Sequence, residues 1–194
     1  MLDTKLISLL RSQTGAPIND CQKALEESGG DMEKAVIYLR KRGEKKLLAK
    51  QDRTTGEGII ESYIHAGGRV GVLVELRCET DFVARNEVFK NLAHDVALHI
   101  AARNPQYLSP EDISEELLST EKEIYRAQLL TEGKTEEMVE KIFPGKLEKF
   151  YEETCLLKQC FVKDDTKKIE DLLSLAVTSL GENIRIARFI RFSL

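Results

Sequence analysis

An acid, a large aromatic and a base, Asp81, Phe82 and Arg85, stand close together within Cys78-Glu79-Thr80-Asp81-Phe82-Val83-Ala84-Arg85-Asn86. The chemistry open to such a group is recognition of a partner, provided rigid elements hold it. Both flanks supply such elements. Val70, Val72, Val74, Leu76 and Cys78 alternate with other residues at period two, which predicts a strand with one buried face. Phe89, Leu92, Ala93, Val96, Ala97, Ile100 and Ala101 recur at the spacing of one helix face, so a helix follows, with Asn86 as its N-cap. On residue type alone, Phe82 is expected to pack into the core beneath this junction, because phenylalanine is usually buried.

Bond-making chemistry finds little support elsewhere. There is no GxxxxGKS/T phosphate loop, no GxGxxG after a strand and no HExxH. His94 and His99 do not share a helix face as metal ligands would, and His65 has no sequence-near partner for a triad. Cys21, Cys78, Cys155 and Cys160 fit neither a disulfide framework nor a zinc site, so reduced thiols in the cytoplasm are expected. No enzyme activity, cofactor or metal is expected.

The chain has 194 residues, 32% charged and 42% hydrophobic, with a formal net charge of −4. It is expected to be soluble and globular, as one domain or a small domain plus a larger one. The acidic balance argues against direct nucleic-acid binding. No apolar run approaches the roughly 20 residues of a membrane span, and Met1-Leu2-Asp3-Thr4-Lys5 lacks the pattern of a signal peptide.

Three short helices are predicted in the first fifty residues. Leu6, Leu9 and Leu10 form the first apolar face. After the turn Thr14-Gly15-Ala16, Pro17 suits the first position of a helix on which Ile18, Cys21, Leu25 and Ser28 share a face. Gly29-Gly30 ends it, Asp31 caps the third, and Met32, Ala35, Val36 and Leu39 give that helix its stripe. Lys41, Arg42, Lys45, Lys46, Lys50 and Arg53 form a basic stretch. Without interleaved aromatics to stack bases, it reads as a solvated helical linker with Leu47 and Leu48 touching the next domain. The boundary falls in Gln51-Asp52-Arg53-Thr54-Thr55-Gly56, giving domains at 1–53 and 54–194.

In the second domain Glu57 to His65 and Val70 to Cys78 are strands joined by a turn at Gly67-Gly68. Asn104-Pro105 ends the helix after the junction. Ser109-Pro110-Glu111-Asp112 and the capping-box pattern Thr120-Glu121-Lys122-Glu123 read as helix starts, Gly133 as a stop, and Phe143-Pro144-Gly145 as a break or kink. Two adjacent antiparallel helices protruding over about 109–160 fit this stretch. Ile169, Leu172, Leu173, Ala176, Val177 and Leu180 form a further helix ended by Gly181, and Glu182 to Phe192 reads as a third strand whose alternation slips near Ala187-Arg188, the mark of a bulge. The fold class is therefore α+β: a three-helix module, a linker, and a core with a small three-stranded antiparallel sheet packed by helices. Three strands leave edges and a face to cover, so pairing with a second copy is expected.

The first fifty residues resemble the ubiquitin-associated (UBA) type of module in Thr14-Gly15-Ala16, Cys21-Gln22-Lys23-Ala24-Leu25 and Gly30-Asp31-Met32-Glu33-Lys34-Ala35. That leaves a non-catalytic UBA-like adaptor as one reading. Thr80-Asp81-Phe82-Val83-Ala84-Arg85-Asn86 resembles the bacterial elongation factor Ts family, as do Gly71-Val72-Leu73-Val74-Glu75, Ala101-Ala102-Arg103-Asn104-Pro105, Lys149-Phe150-Tyr151, Cys155-Leu156-Leu157 and Gly181-Glu182-Asn183-Ile184. The length is similar to the family's short form. This resemblance implies a guanine nucleotide exchange factor of the GTPase elongation factor Tu, and a homodimer giving a 2:2 complex. It implies that Thr80, Asp81, Phe82, Val83, Ala84, Arg85 and Asn86 meet the GTPase, with Phe82 projecting outward as a wedge near its switch II region. It also implies that the module docks through Thr14, Gly15, Ala16 and Ile18.

Overall fold

The computed structural model describes residues 4–50 and 52–194. The expected roles of Leu47 and Leu48, of Lys46 in the basic stretch and of Gln51 in the boundary concern groups outside what is described. The fold is α+β and divides into two compact units, one made of Met1–Ala101 with Glu170–Leu194, the other of Ala102–Ile169.

The first unit begins with α1 (Thr4–Thr14), α2 (Ile18–Glu27) and α3 (Met32–Lys50). Leu10, Ala16, Cys21, Ala24, Leu25, Ala35 and Leu39 form their core, with Leu6 and Ile7 packed against it. Burying a leucine of this kind contributes about 2 kcal/mol. Leu9 instead points outward, because Leu6, Ile7 and Leu10 are the residues three and four positions apart on one face. Pro17 takes the N-cap of α2, one position before the helix, and its carbonyl accepts from the Asp20 and Cys21 amides at 2.9 and 3.0 Å. Asp31 caps α3, accepting from the Lys34 amide at 3.1 Å. The basic stretch from Lys41 to Lys50 is the second half of this same helix, and Arg53 lies beyond its end. The stretch is not wholly solvated, because Arg42 pairs with Asp20 at 2.9 Å.

Strands β1 (Glu57–Ile64), β2 (Val70–Cys78) and β5 (Arg185–Ser193) form an antiparallel sheet in the order β1-β2-β5. Val72, Val74, Leu76 and Cys78 bury one face of the central strand. Gly58 is required where β1 crosses β2: a Cβ there would run into the Leu76 carbonyl oxygen. The slip foreseen in the last strand is real. Leu76 faces Ile186 and Glu75 faces Arg188, so Ala187 is an extra residue. Helix α5 (Glu87–Arg103) carries buried Phe89, Leu92, Ala93, Val96, Ala97 and Ile100. It meets the inner face of the sheet through His94 to Glu61 at 3.1 Å and through Arg191, which donates to the Ala101 carbonyl at 3.3 Å. Helix α8 (Ile169–Leu180) leads into β5, and Gly181, at φ 80°, supplies the left-handed residue that stops it.

The second unit holds α6 (Glu115–Thr131), α7 (Glu136–Thr154) and the hairpin β3 (Cys160–Phe161) and β4 (Asp164–Lys168). Ser109 and Asp112 form a capping box around a short turn that opens with Pro110. The start expected at Thr120 is corrected: Ser114 caps α6, and the Thr120 hydroxyl lies inside that helix, donating to the Glu116 carbonyl at 2.9 Å. Nor does Phe143-Pro144-Gly145 break the chain into two helices. α7 runs through Pro144, which is exposed, so water can satisfy the carbonyl that loses its donor. Arg126 to Glu136 at 2.6 Å and Lys122 over the Phe143 ring at 5.2 Å tie the two helices together. Sequence periodicity gave no sign of the β3–β4 hairpin, because Asp164 to Lys168 is wholly polar.

Candidate partner-binding site

The junction after β2 folds into one helical turn, α4 (Asp81–Ala84), before α5 begins. The Ala84, Arg85 and Asn86 amides donate to Thr80, Asp81 and Val83 carbonyls at 3.2, 3.1 and 3.0 Å. The Asn86 side chain accepts from the Val88 amide at 2.8 Å and so starts α5, as its residue type predicts. Val83 and Ala84 are buried and anchor the turn from beneath. Asp81 and Arg85 pair at 3.0 Å on its outer side. Phe82 is 85% exposed, which decides between the two readings of the sequence. The core position beneath the junction belongs to fully buried Phe89, and the Phe82 ring stands in solvent.

Thr80 is the N-cap of α4 by position, yet its side chain does not cap it. Its hydroxyl donates instead to Glu182 at 2.6 Å, and the same carboxylate accepts from the Glu79 and Thr80 amides at 3.1 and 3.0 Å. In return, Glu79 accepts from the Asn183 amide at 2.6 Å. Glu182, Asn183 and Glu79 were not singled out as site residues from the sequence. About a hundred positions separate the two clusters, so no local period links them. The available signals were a pair of polar residues directly after the helix stop at Gly181 and the family resemblance of Gly181-Glu182-Asn183-Ile184, neither of which assigns a role to a residue. Burial first, and then the nearby Glu182 carboxylate, push the Cys78 thiol up to about 11, so it remains protonated at neutral pH and is a poor nucleophile.

The second predicted stretch is built differently. Gly15, at φ 66°, turns the chain after α1, and its amide donates to the Arg11 carbonyl at 2.8 Å. The Thr14 hydroxyl donates to the Leu10 carbonyl at 2.7 Å and accepts from the Ala16 amide at 3.3 Å. Ala16 is buried in the core of the module, backbone included, so it supports the loop from within and offers a partner no surface, whereas Ile18 is half exposed. Thr14 and Gly15 line a groove of about 290 Å³ with Val88 and Asn91 of α5 and Leu172 and Leu175 of α8. The groove thus brings this loop to the helix that leaves the junction, while Ile18 does not line it.

On the outer face of the sheet, Ile60, Ile64, Leu73, Ile190 and Phe192 are exposed around Glu75. Hydrogen bonds from Arg188 and then Arg77 hold the Glu75 carboxyl below its ordinary value. Among the described residues, no group of three or more His, Cys, Asp or Glu side chains is placed to hold a metal ion, and no helix is long and apolar enough to cross a membrane.

An exposed aromatic on an anchored turn, a half-exposed isoleucine beside a tight loop and an apolar sheet face are the features that the described surface offers to a partner. Comparison with known proteins supplies a family. The family described as Elongation factor TS matches residues 5–194. An elongation factor Ts of Thermosipho melanesiensis is 50% identical over 194 residues, covering 100% of this chain and 99% of that relative. One of Thermotoga petrophila is 53% identical, covering 97% and 94%, and one of Moorella thermoacetica 50%, covering 97% and 93%. The chain belongs to the elongation factor Ts family of translation elongation factors.

Proposed function

We propose that this chain is a cytoplasmic guanine nucleotide exchange factor that binds the GTPase elongation factor Tu and promotes GDP release. Asp81 and Phe82 contact the GTPase, and the Phe82 ring wedges between helices near its switch II region. Displacing those helices disturbs the Mg²⁺ and phosphate sites of the partner. The thermodynamics is reciprocal: a partner that binds the nucleotide-free state more tightly weakens nucleotide binding by the same factor. The chain therefore needs no nucleotide site of its own, and it acts by binding, without making or breaking bonds. The observation that carries this reading is the exposure of Phe82 on a turn whose next two residues are buried.

Residues 1–53 serve as a docking module that meets the GTPase through Ile18 and the Thr14-Gly15 loop, and 54–194 as the exchange and dimerisation domain. The exposed apolar face bearing Ile60, Ile64, Leu73, Ile190 and Phe192 supports a homodimer, giving a 2:2 complex with the GTPase. The deciding experiment measures release of labelled GDP from purified elongation factor Tu with and without this chain. Acceleration is expected, and its absence would leave the adaptor reading. Gel filtration with light scattering tests the dimer, and a monomer at micromolar concentration would count against it.

A further inference from the structure

We propose that Glu182, on the corner between α8 and β5, is a positioning residue for exchange: it aims Phe82. The role rests on the exchange reading above. Phe82 is 85% exposed, so packing within its own chain does not fix the ring, and its direction must come from the backbone of α4. That helix is a single turn, and one turn is marginal by itself because nucleation costs more than its few bonds return. Glu182 supplies what the turn lacks. One carboxylate oxygen takes the Glu79 and Thr80 amides and the other takes the Thr80 hydroxyl. Bonds to an ionised acceptor are stronger than neutral ones.

The lock is two-way. Glu79 accepts the Asn183 amide, and the Asn183 side chain donates to the Arg53 carbonyl at 3.0 Å. Each corner thus holds the other by a carboxylate on an amide, which resists both sliding and rotation. Thr80 forgoes the local capping bond that its position invites. A residue that gives up its local optimum for a contact about a hundred positions away marks a place where position matters beyond stability.

The test uses the full chain and elongation factor Tu loaded with labelled GDP. Glu182→Ala should lower the maximal release rate about tenfold while the half-saturating concentration moves less than about threefold, as expected for loss of a few charge-assisted bonds that aim the wedge. Glu182→Gln, which keeps one acceptor oxygen in place, should recover most of the loss. In a Phe82→Ala background, Glu182→Ala should cause no further fall, because it acts through the ring. Without any partner, amide hydrogen exchange over Asp81–Arg85 should quicken in Glu182→Ala. If the alanine variant melts too early to assay, Glu182→Asp, whose shorter side chain cannot reach the same amides and hydroxyl, carries the same double cycle. A folded Glu182→Ala with release near the parent's rate, or losses that multiply in the double variant, would overturn the role. Unchanged release with Phe82→Ala alone would remove the wedge and the positioning role together. A loss with Phe82→Ala that Glu182→Ala does not reproduce would remove the positioning role alone.

Discussion

The junction at Asp81–Asn86 and the loop at Thr14–Ile18 are both proposed to meet the same GTPase, yet they are held in opposite ways. The junction has a buried strand before it, a buried helix after it, and a carboxylate from far along the chain across its entry. The loop is fixed by bonds to Arg11, Leu10 and its own Thr14, all within one turn of sequence. Long-range restraint gives a segment that transmits force to what it touches. Local restraint gives one that keeps its shape but moves with its module. A wedge needs the first property, and a docking contact needs only the second.

The sharpest way to probe the contrast is to remove each part in turn. Phe89→Ala, beneath the junction, should lower stability by about 3–5 kcal/mol, as truncation of a fully buried phenylalanine does, read as a fall in the urea midpoint. Phe82→Ala, only seven positions earlier, should leave the midpoint within experimental scatter and cut stimulated GDP release on the order of 100-fold, comparable to losing a central interface anchor. Equal stability losses from the two would erase the distinction between the ring that supports and the ring that pushes. Ile18→Ala should raise the half-saturating concentration roughly threefold to tenfold and leave the maximal rate unchanged, the pattern of a lost docking contact. A fall in maximal rate instead would mean that the loop also takes part in the push.

The smallest effect separates the two regions by their thiols. The Cys78 thiol is raised to about 11 from an ordinary 9.0, mainly by burial, so above pH 9 the unfolded chain releases this proton before the folded one does. With fewer protons bound when unfolded, stability falls as pH rises from about 9 toward 11. Urea midpoints at the two ends of that window should show less decline in Cys78→Ala than in the parent chain. Cys21, in the module, is also raised by burial, but a hydrogen bond with Thr14 lowers it in part, so Cys21→Ala should change the slope less.

Much of this architecture was legible in the residues. The alternation from Val70 to Cys78, the stripe from Phe89 to Ala101 and the stop at Gly181 each follow from a single period or a single backbone requirement, and each appears where expected. Even the bulge left a trace, because Ile186 and Arg188 have the same parity and opposite character. What escaped had no local period. The β3–β4 hairpin joins a strand of only two residues to a wholly polar one that opens with Asp164, whose carboxylate accepts from Thr166 and pairs with Lys167. The start of α6 was misplaced because Thr120 and Ser114 both precede acids, and only tertiary context chooses between them. At the site, residue type alone would have buried Phe82, and family resemblance was needed to turn it outward. The restraint by Glu182 was invisible because it exists only once the chain has folded back on itself.

The extra residue at Ala187 gives the last strand something like a reading frame. Before it, an even number means inward, as for Ile186; after it, an even number means outward, as for Ile190 and Phe192. Removing Ala187 itself would leave every neighbour on its present side and merely straighten the ladder. Adding or removing one residue beyond it, between Arg188 and Phe192, would exchange the exposed apolar side chains that follow for those now turned toward α5. The strand therefore tolerates a change of length at one position and not a few residues later, so the spacing of this segment, as much as its composition, is under physical constraint.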